Sequence, residues 1–322
     1  MREDKKGISR RNFTKKSAMA LAGLPLVKFQ DDFLRSKVDS NDAVEVHLFS
    51  KHLQFLDYHE MSAAAAEIGF DGLDLTVRPK GHVLPEKVQE DLPTAVEAMK
   101  KFGLSPKMIT TNVWDIEDLG QRKVLETASK LGVGYYRTGW LSYPEDTSID
   151  ESLLKYAGQA QKLETLNKDL GLVGCYQNHA GNHVGAPIWD LPTIFSRTNG
   201  EFVGCQYDIR HAVVEGGKSW ELDLRRIRSY IKSIVIKDFK WGKKNGSWEP
   251  INTPLGEGMV DFHRYFSLLK KYNINVPISL HLEYELGGAE KGASKITMDK
   301  KEVFAKMKKD LSFLKETWKK AE

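Results

Sequence analysis

Eight short β-rich runs, each followed by a stretch of different periodicity, occupy the chain from residue 43 onward. They lie near 44–49, 72–77, 105–111, 134–138, 172–178, 203–208, 231–238 and 276–283. Between and after them, apolar residues recurring at three- and four-residue spacing predict helices over 58–68, 85–102, 118–131, 149–170, 219–228, 262–272 and 300–320. Parallel strands can be joined only by long crossovers, so this alternation predicts a parallel sheet with helices packed outside it. Eight such units in about 280 residues match the size of a (β/α)8 barrel. No Gly-x-Gly-x-x-Gly opens a helix, which argues against an open, doubly wound sheet. We therefore expect an α/β fold, a single (β/α)8 TIM-barrel domain over 43–322. The lysine-rich stretch at 300–320 carries Phe304, Met307, Leu311 and Leu314 at helical spacing and is read as the eighth barrel helix, with a solvated basic face.

Charge separates the first 42 residues from the rest. Residues 1–40 hold ten Lys/Arg against five Asp/Glu, while the whole chain of 322 residues has a formal net charge of +4, so the body beyond is close to neutral. A near-neutral body has no basic face to displace counterions from phosphates, so nucleic acid is excluded as a partner. Within the basic segment, Ser9-Arg10-Arg11-Asn12-Phe13-Thr14-Lys15 resembles a twin-arginine export motif, and a weakly apolar run follows from 18 to 27. That run is far below the ~20 residues of a membrane span. We read 1–42 as a removable signal and linker, with the mature start somewhere in 25–42, and expect a periplasmic protein. The two cysteines, Cys175 and Cys205, fall on opposite faces of adjacent strands by period-two alternation and are expected to be buried, unpaired packing residues.

Barrel chemistry projects from the C-terminal ends of the strands. Here those ends are densely polar: Lys51 and His52; Asp74, Thr76, Arg78 and His82; Thr110 and Asn112; Arg137; Gln177, Asn178, His179 and His183; Asp208, Arg210 and His211; Lys237 and Asp238; His281, Glu283 and Glu285. Capping explains one such residue at a strand end but not eight ends alike, because unpaired buried polar groups cost about 1–3 kcal/mol each. The longest insertion, 240–258, is read as a site-forming loop, and Trp140, Trp241 and Trp248 near the strand ends are candidates for stacking on a ligand.

In chain order, Gly-Phe-Asp-Gly-Leu-Asp at 69–74, Gln-Asn-His at 177–179, Asp-x-x-His at 208–211, Lys-Asp at 237–238, Gly-Glu-Gly at 256–258 and Glu283 resemble the xylose isomerase-like barrel superfamily, with its sugar phosphate isomerases and epimerases. The resemblance implies a divalent metal held by Glu, Asp, His and Glu on the fifth to eighth strands. Asp208 and Glu283 match two of these positions; Gln177 stands for the strand-five Glu and Val235 for the strand-seven His. What remains is a hard-oxygen set that would suit Mg²⁺, Mn²⁺ or Ca²⁺ better than Zn²⁺. The family's epimerases move a proton next to a carbonyl between two carboxylates, a task closed to Gln177.

The resemblance implies a small sugar or keto-sugar as partner. Glu283 is expected as a general base or metal ligand, His211 to position a hydroxyl, and His179 or Lys237 to supply the second proton-transfer group. Lys51, His52, Arg78, His82, Arg137, Gln177 and Asp238 are expected around the substrate. An isomerase, an epimerase and a keto-sugar lyase all fit this set. A barrel that has lost its chemistry and binds sugars also remains open, because it accounts directly for Gln177 and Val235.

Overall fold

The computed structural model describes residues 44–322. The export motif and the mature start lie outside the described residues. Eight parallel strands close into a barrel: β1 (Val46–Phe49), β2 (Gly72–Thr76), β3 (Ser105–Thr110), β4 (Tyr135–Arg137), β5 (Val173–Gln177), β6 (Val203–Asp208), β7 (Ile231–Ile236) and β10 (Ile278–Leu280). Closure comes from β1 pairing with both β2 and β10, with His47 opposite Gly72 and Val46 opposite Ile278. Glycine is required at position 72, where a Cβ would collide with the His47 ring and the Ser105 carbonyl.

Outside the barrel run α1 (Tyr58–Ile68), α2 (Val88–Lys101), α3 (Leu119–Lys130), α4 (Ile149–Leu170), α5 (Leu191–Ile194), α6 (Ile209–Gly216), α7 (Trp220–Ile227), α8 (Phe262–Lys271) and α9 (Lys300–Lys320). Local chemistry sets their ends. The longest, α4, starts at a capping box in which the Ser148 hydroxyl accepts from the Glu151 N–H while Glu151 reaches back to the Ser148 N–H, and it stops at Gly171 in the left-handed region at φ 67°. As expected, α9 serves as the last barrel helix: Met307, Leu311 and Leu314 are buried, and it packs against α1 and α8 to complete the ring.

Two expectations need correction. The 240–258 insertion is an antiparallel hairpin, β8 (Asp238–Lys244) with β9 (Ser247–Thr253), rather than a loop without secondary structure. Both faces of the hairpin's outer part are solvated, so its sequence carries no period-two alternation of polar and apolar residues. The short helices α5 and α6 fall where no helix was expected, because each is too brief to show a full helical repeat. Both cysteines are buried and free. Tyr207, between inward-facing Gln206 and Asp208, faces outward and stacks on Tyr265 of α8, with ring centroids 5.9 Å apart.

Candidate functional site

The strand ends meet in one cavity at the C-terminal mouth, about 330 Å³ including its open entrance, lined by Phe49, Lys51, Arg78, Arg137, Trp140, Gln177, His179, Lys237, His281 and Glu283. Each residue arrives through local geometry. Arg137 and Gln177 are the last residues of β4 and β5, Lys237 immediately follows β7, and His281 and Glu283 follow β10 on one face of an extended stretch. Lys51 sits in the 3-10 turn after β1.

At the centre is Lys237. Its Nζ lies 3.1 Å from Asp208 Oδ2, 3.3 Å from Glu283 Oε2 and 2.8 Å from His211 Nε2. Glu283 Oε1 in turn accepts from Lys51 Nζ at 3.1 Å. Burial alone would push the Glu283 carboxyl up, but Lys237, His281 and Lys51 outweigh it and hold that carboxyl well below the usual carboxylate range. Glu283 is therefore ionised at neutral pH. Its side chain remains 24% exposed, on the cavity wall.

Asp208 lies behind Lys237 and is fully buried. It caps α6 by accepting the His211 N–H on Oδ1 at 3.1 Å, and Gln177 Nε2 donates to Oδ2 at 2.8 Å. The Asp-x-x-His pattern is thus a helix cap that also delivers an imidazole. The His211 ring lies between two cations, with Arg210 Nη1 3.1 Å from Nδ1 and Lys237 Nζ 2.8 Å from Nε2. Burial, followed by Lys237, His179 and Arg210, holds His211 well below the ordinary imidazole value, so it is neutral.

His179 lines the cavity and packs on His211 at 4.0 Å between ring centroids and on Trp140 at 4.6 Å. Its Nδ1 lies 2.8 Å from the Ala180 carbonyl oxygen, so Nδ1 carries the proton and Nε2 keeps its lone pair. Burial and then Lys237 push this imidazole down to about 4, leaving a neutral base at physiological pH. On the far wall Phe49 stacks on His281 at 4.1 Å, and Arg137 lies over the Trp140 ring at 4.4 Å.

Three expected substrate contacts are placed elsewhere. His52 is fully buried, its Nε2 accepting the Leu282 N–H at 3.0 Å, so it fastens the segment before Glu283. His82 is bonded to Ser50, Thr76 and the Leu53 carbonyl behind the first two strands. Asp238 accepts four backbone N–H groups, from Phe239, Gly256, Gly258 and Val260, at 2.8–3.1 Å, and so ties down the segment after the hairpin. Trp241 and Trp248 are exposed on the hairpin and do not line the cavity, whereas Trp140 does.

The cavity also uses residues that had no assigned role. His281 was visible at a strand end, but Phe49 offered no signal beyond being an apolar strand residue. Arg210 was visible at a strand end as well, whereas Asn252 offered no signal. Arg210 Nη2 donates to Asn252 Oδ1 at 2.8 Å, and Asn252 Nδ2 donates to the Glu283 carbonyl at 3.2 Å, which ties the hairpin to both sides of the site.

The residues do not fit the divalent metal that the family pattern implies. The place between Asp208 and Glu283 where a cation would sit is taken by the Lys237 Nζ, and the Asp208 oxygens already accept from Gln177, Lys237 and the His211 N–H. Val235, the residue in the histidine position, lies two residues before Lys237 on the same face of β7 and is fully buried. Among the described residues no three His, Cys, Asp or Glu side chains form a metal-holding group.

A family model described as xylose isomerase-like TIM barrel matches residues 62–316. No curated protein matches the chain. Among solved structures, an L-ribulose 3-epimerase is 13% identical with a TM-score of 0.63, the match covering 87% of this chain and 96% of that one. A D-psicose 3-epimerase from Clostridium cellulolyticum H10, solved with D-tagatose, is 13% identical at a TM-score of 0.62, over 86% of this chain and 99% of its own. A xylose isomerase-like TIM barrel protein from Mycobacterium smegmatis, solved in complex with magnesium, is 12% identical at 0.59, over 87% and 98%. At these identities the likeness is one of fold.

Proposed function

We propose that this chain, which belongs to the xylose isomerase-like TIM-barrel family, is an exported carbohydrate-active enzyme of the isomerase or epimerase type that removes a proton from the carbon next to the carbonyl of a sugar or keto-sugar. The observation that carries this reading is the pairing, across one small cavity, of the ionised Glu283 carboxylate with the neutral His179 imidazole, around the Lys237 ammonium.

In this reading one base takes the proton from carbon, and the electron pair left behind moves onto the carbonyl oxygen. Lys237, with Lys51 beside it, stabilises that oxygen through fixed positive charge in a site largely shielded from water. Returning that proton from the same base to the neighbouring carbon gives isomerisation; in epimerisation the proton that reaches the same carbon from the opposite side comes from a group that starts protonated, the Lys237 ammonium, which solvent reprotonates after the base has released its own proton. His211 does not line the cavity: with Nδ1 against Arg210 and Nε2 against Lys237, it fixes the Lys237 ammonium rather than positioning a hydroxyl as the sequence suggested. No step passes through a metal.

The test is solvent exchange. A panel of ketoses and keto-sugars incubated with the enzyme in D₂O should acquire deuterium at the carbon beside the carbonyl, read by NMR. Glu283→Gln should slow that exchange about 10²- to 10⁴-fold while sugar binding persists, because the amide keeps the shape and cannot accept the proton. Exchange at the wild-type rate in the Gln variant would remove Glu283 from the mechanism. A second reading, a sugar-binding barrel without chemistry, is favoured by the same Gln177 and Val235 replacements; binding of several sugars with no exchange into any would establish it.

A further inference from the structure

The cationic groups of the cavity are not equally matched. Lys51 and Lys237 are paired with Glu283 and Asp208. Arg78 and Arg137 have no carboxylate within 4.0 Å among the described residues. Arg137 is 3% exposed, yet its Nη1 and Nη2 reach only the Gln177 Oε1 and the Thr111 carbonyl, each at 3.4 Å, and its Nε has no partner. The Arg78 Nε is likewise buried and unpartnered. Asp74, whose charge reaches both, is turned to other donors: Thr110 Oγ1 at 2.9 Å and Ser279 Oγ at 2.7 Å.

Burying guanidinium donors without an acceptor is costly, and the two arginines raise that cost by repelling each other. Stacking on Phe49 (5.7 Å from Arg78) and on Trp140 orients the planes but accepts no hydrogen bond. We propose that Arg78 and Arg137 form a carboxylate-binding subsite, so that the substrate is a sugar acid, a uronate or keto-aldonate bearing the reacting carbonyl. This rests on reading the cavity as a sugar site and names the class of sugar it takes.

Planarity and size favour a carboxylate over a phosphate ester. A flat carboxylate matches the guanidinium fork in two parallel hydrogen bonds. A cavity of about 330 Å³ including its open mouth has room for one six-carbon acid and little else.

The test is calorimetric titration of the purified protein with D-glucuronate, D-galacturonate, glucose, galactose and glucose 6-phosphate. At least one uronate should bind about tenfold or more tightly than its neutral hexose. Arg78→Gln, at a half-exposed position, should abolish that preference without changing the melting temperature, and Arg137→Lys, which keeps the charge and loses the fork, should weaken it. The Arg78 variant decides the matter if the Arg137 variant fails to fold. Equal affinity for acid and neutral sugar, tighter binding of glucose 6-phosphate, no uronate binding, or a preference that survives Arg78→Gln would each overturn the subsite. Because binding is read without turnover, uronate preference with no deuterium exchange would defeat only the epimerase reading, and exchange into neutral sugars without acid preference would defeat only this one.

Discussion

His179 shows how one side chain's surroundings choose its chemistry. A free imidazole near neutral pH is a mixture of charged and uncharged forms. Burial and the Lys237 charge remove the charged form here, and the Ala180 carbonyl selects the tautomer. Protonation of His179 is lowered to about 4, and that of Glu283 well below the usual carboxylate range, so both proton acceptors stay unprotonated as pH falls from 7 to 5. The rate of exchange in D₂O-calibrated assays should therefore be flat over that window and decline only toward pH 4, as first His179 and then Glu283 takes up a proton. Histidine ¹³C resonances followed by NMR should show His179 neutral over the same range. An acidic limb centred near the ordinary imidazole value would contradict the assignment.

The β8–β9 hairpin and the turn that follows it brace the site from outside the cavity, through Asn252 on the Glu283 carbonyl. Asp238 gathers four backbone N–H groups, and this requires close approach: Gly256 has φ 81°, and a Cβ on Gly258 would overlap the Asp238 carboxylate and the Phe239 carbonyl. Gly-Glu-Gly, one of the motifs by which the family was recognised, is thus an anchor for the hairpin that carries Asn252 to the Glu283 backbone. Gly258→Ala should destabilise the protein by about 1–3 kcal/mol, seen as a lower urea midpoint at unchanged slope. It should also lower the exchange rate, because the shifted hairpin draws Asn252 away from the Glu283 backbone. Unaltered stability would mean that the clamp is slack.

At the scale of the whole molecule, cation supply and destination are the open properties. With an ammonium group between its two central carboxylates, the barrel should keep its melting temperature, and whatever exchange activity it shows, after dialysis against EDTA, and added Mg²⁺ or Mn²⁺ should change neither. Loss of activity on chelation, restored by one of these ions, would show that Lys237 moves aside for a metal. Export is tested separately: replacing Arg10 and Arg11 with lysine should trap the protein in the cytoplasm, measured by fractionation, since the twin-arginine route reads the pair itself. Unchanged periplasmic recovery would count against the route.

The barrel was legible in the chain because periodicity is a local property: the spacing of apolar residues in 58–68 or 149–170 already specifies which face each helix buries, and the eight β runs reappear as the eight staves. The approximate membership of the site was legible for the same reason, since strand ends are readable and barrel chemistry gathers at one of them. Partnership was not. Whether Lys237 neutralises Asp208, whether Asp238 faces substrate or backbone, whether His52 holds a ligand or the Leu282 N–H, and which cations go without an acid depend on separations of 3–4 Å between residues as many as 232 apart in the chain, as with Lys51 and Glu283. Hydrogen bonds are lost over about an ångström, and which charges pair depends on which come into contact. Only closure of the barrel, which brings the first strand beside the last, sets distances that fine, and so only the tertiary structure decided that a lysine stands where the family pattern expects a metal and that two arginines were left unpaired.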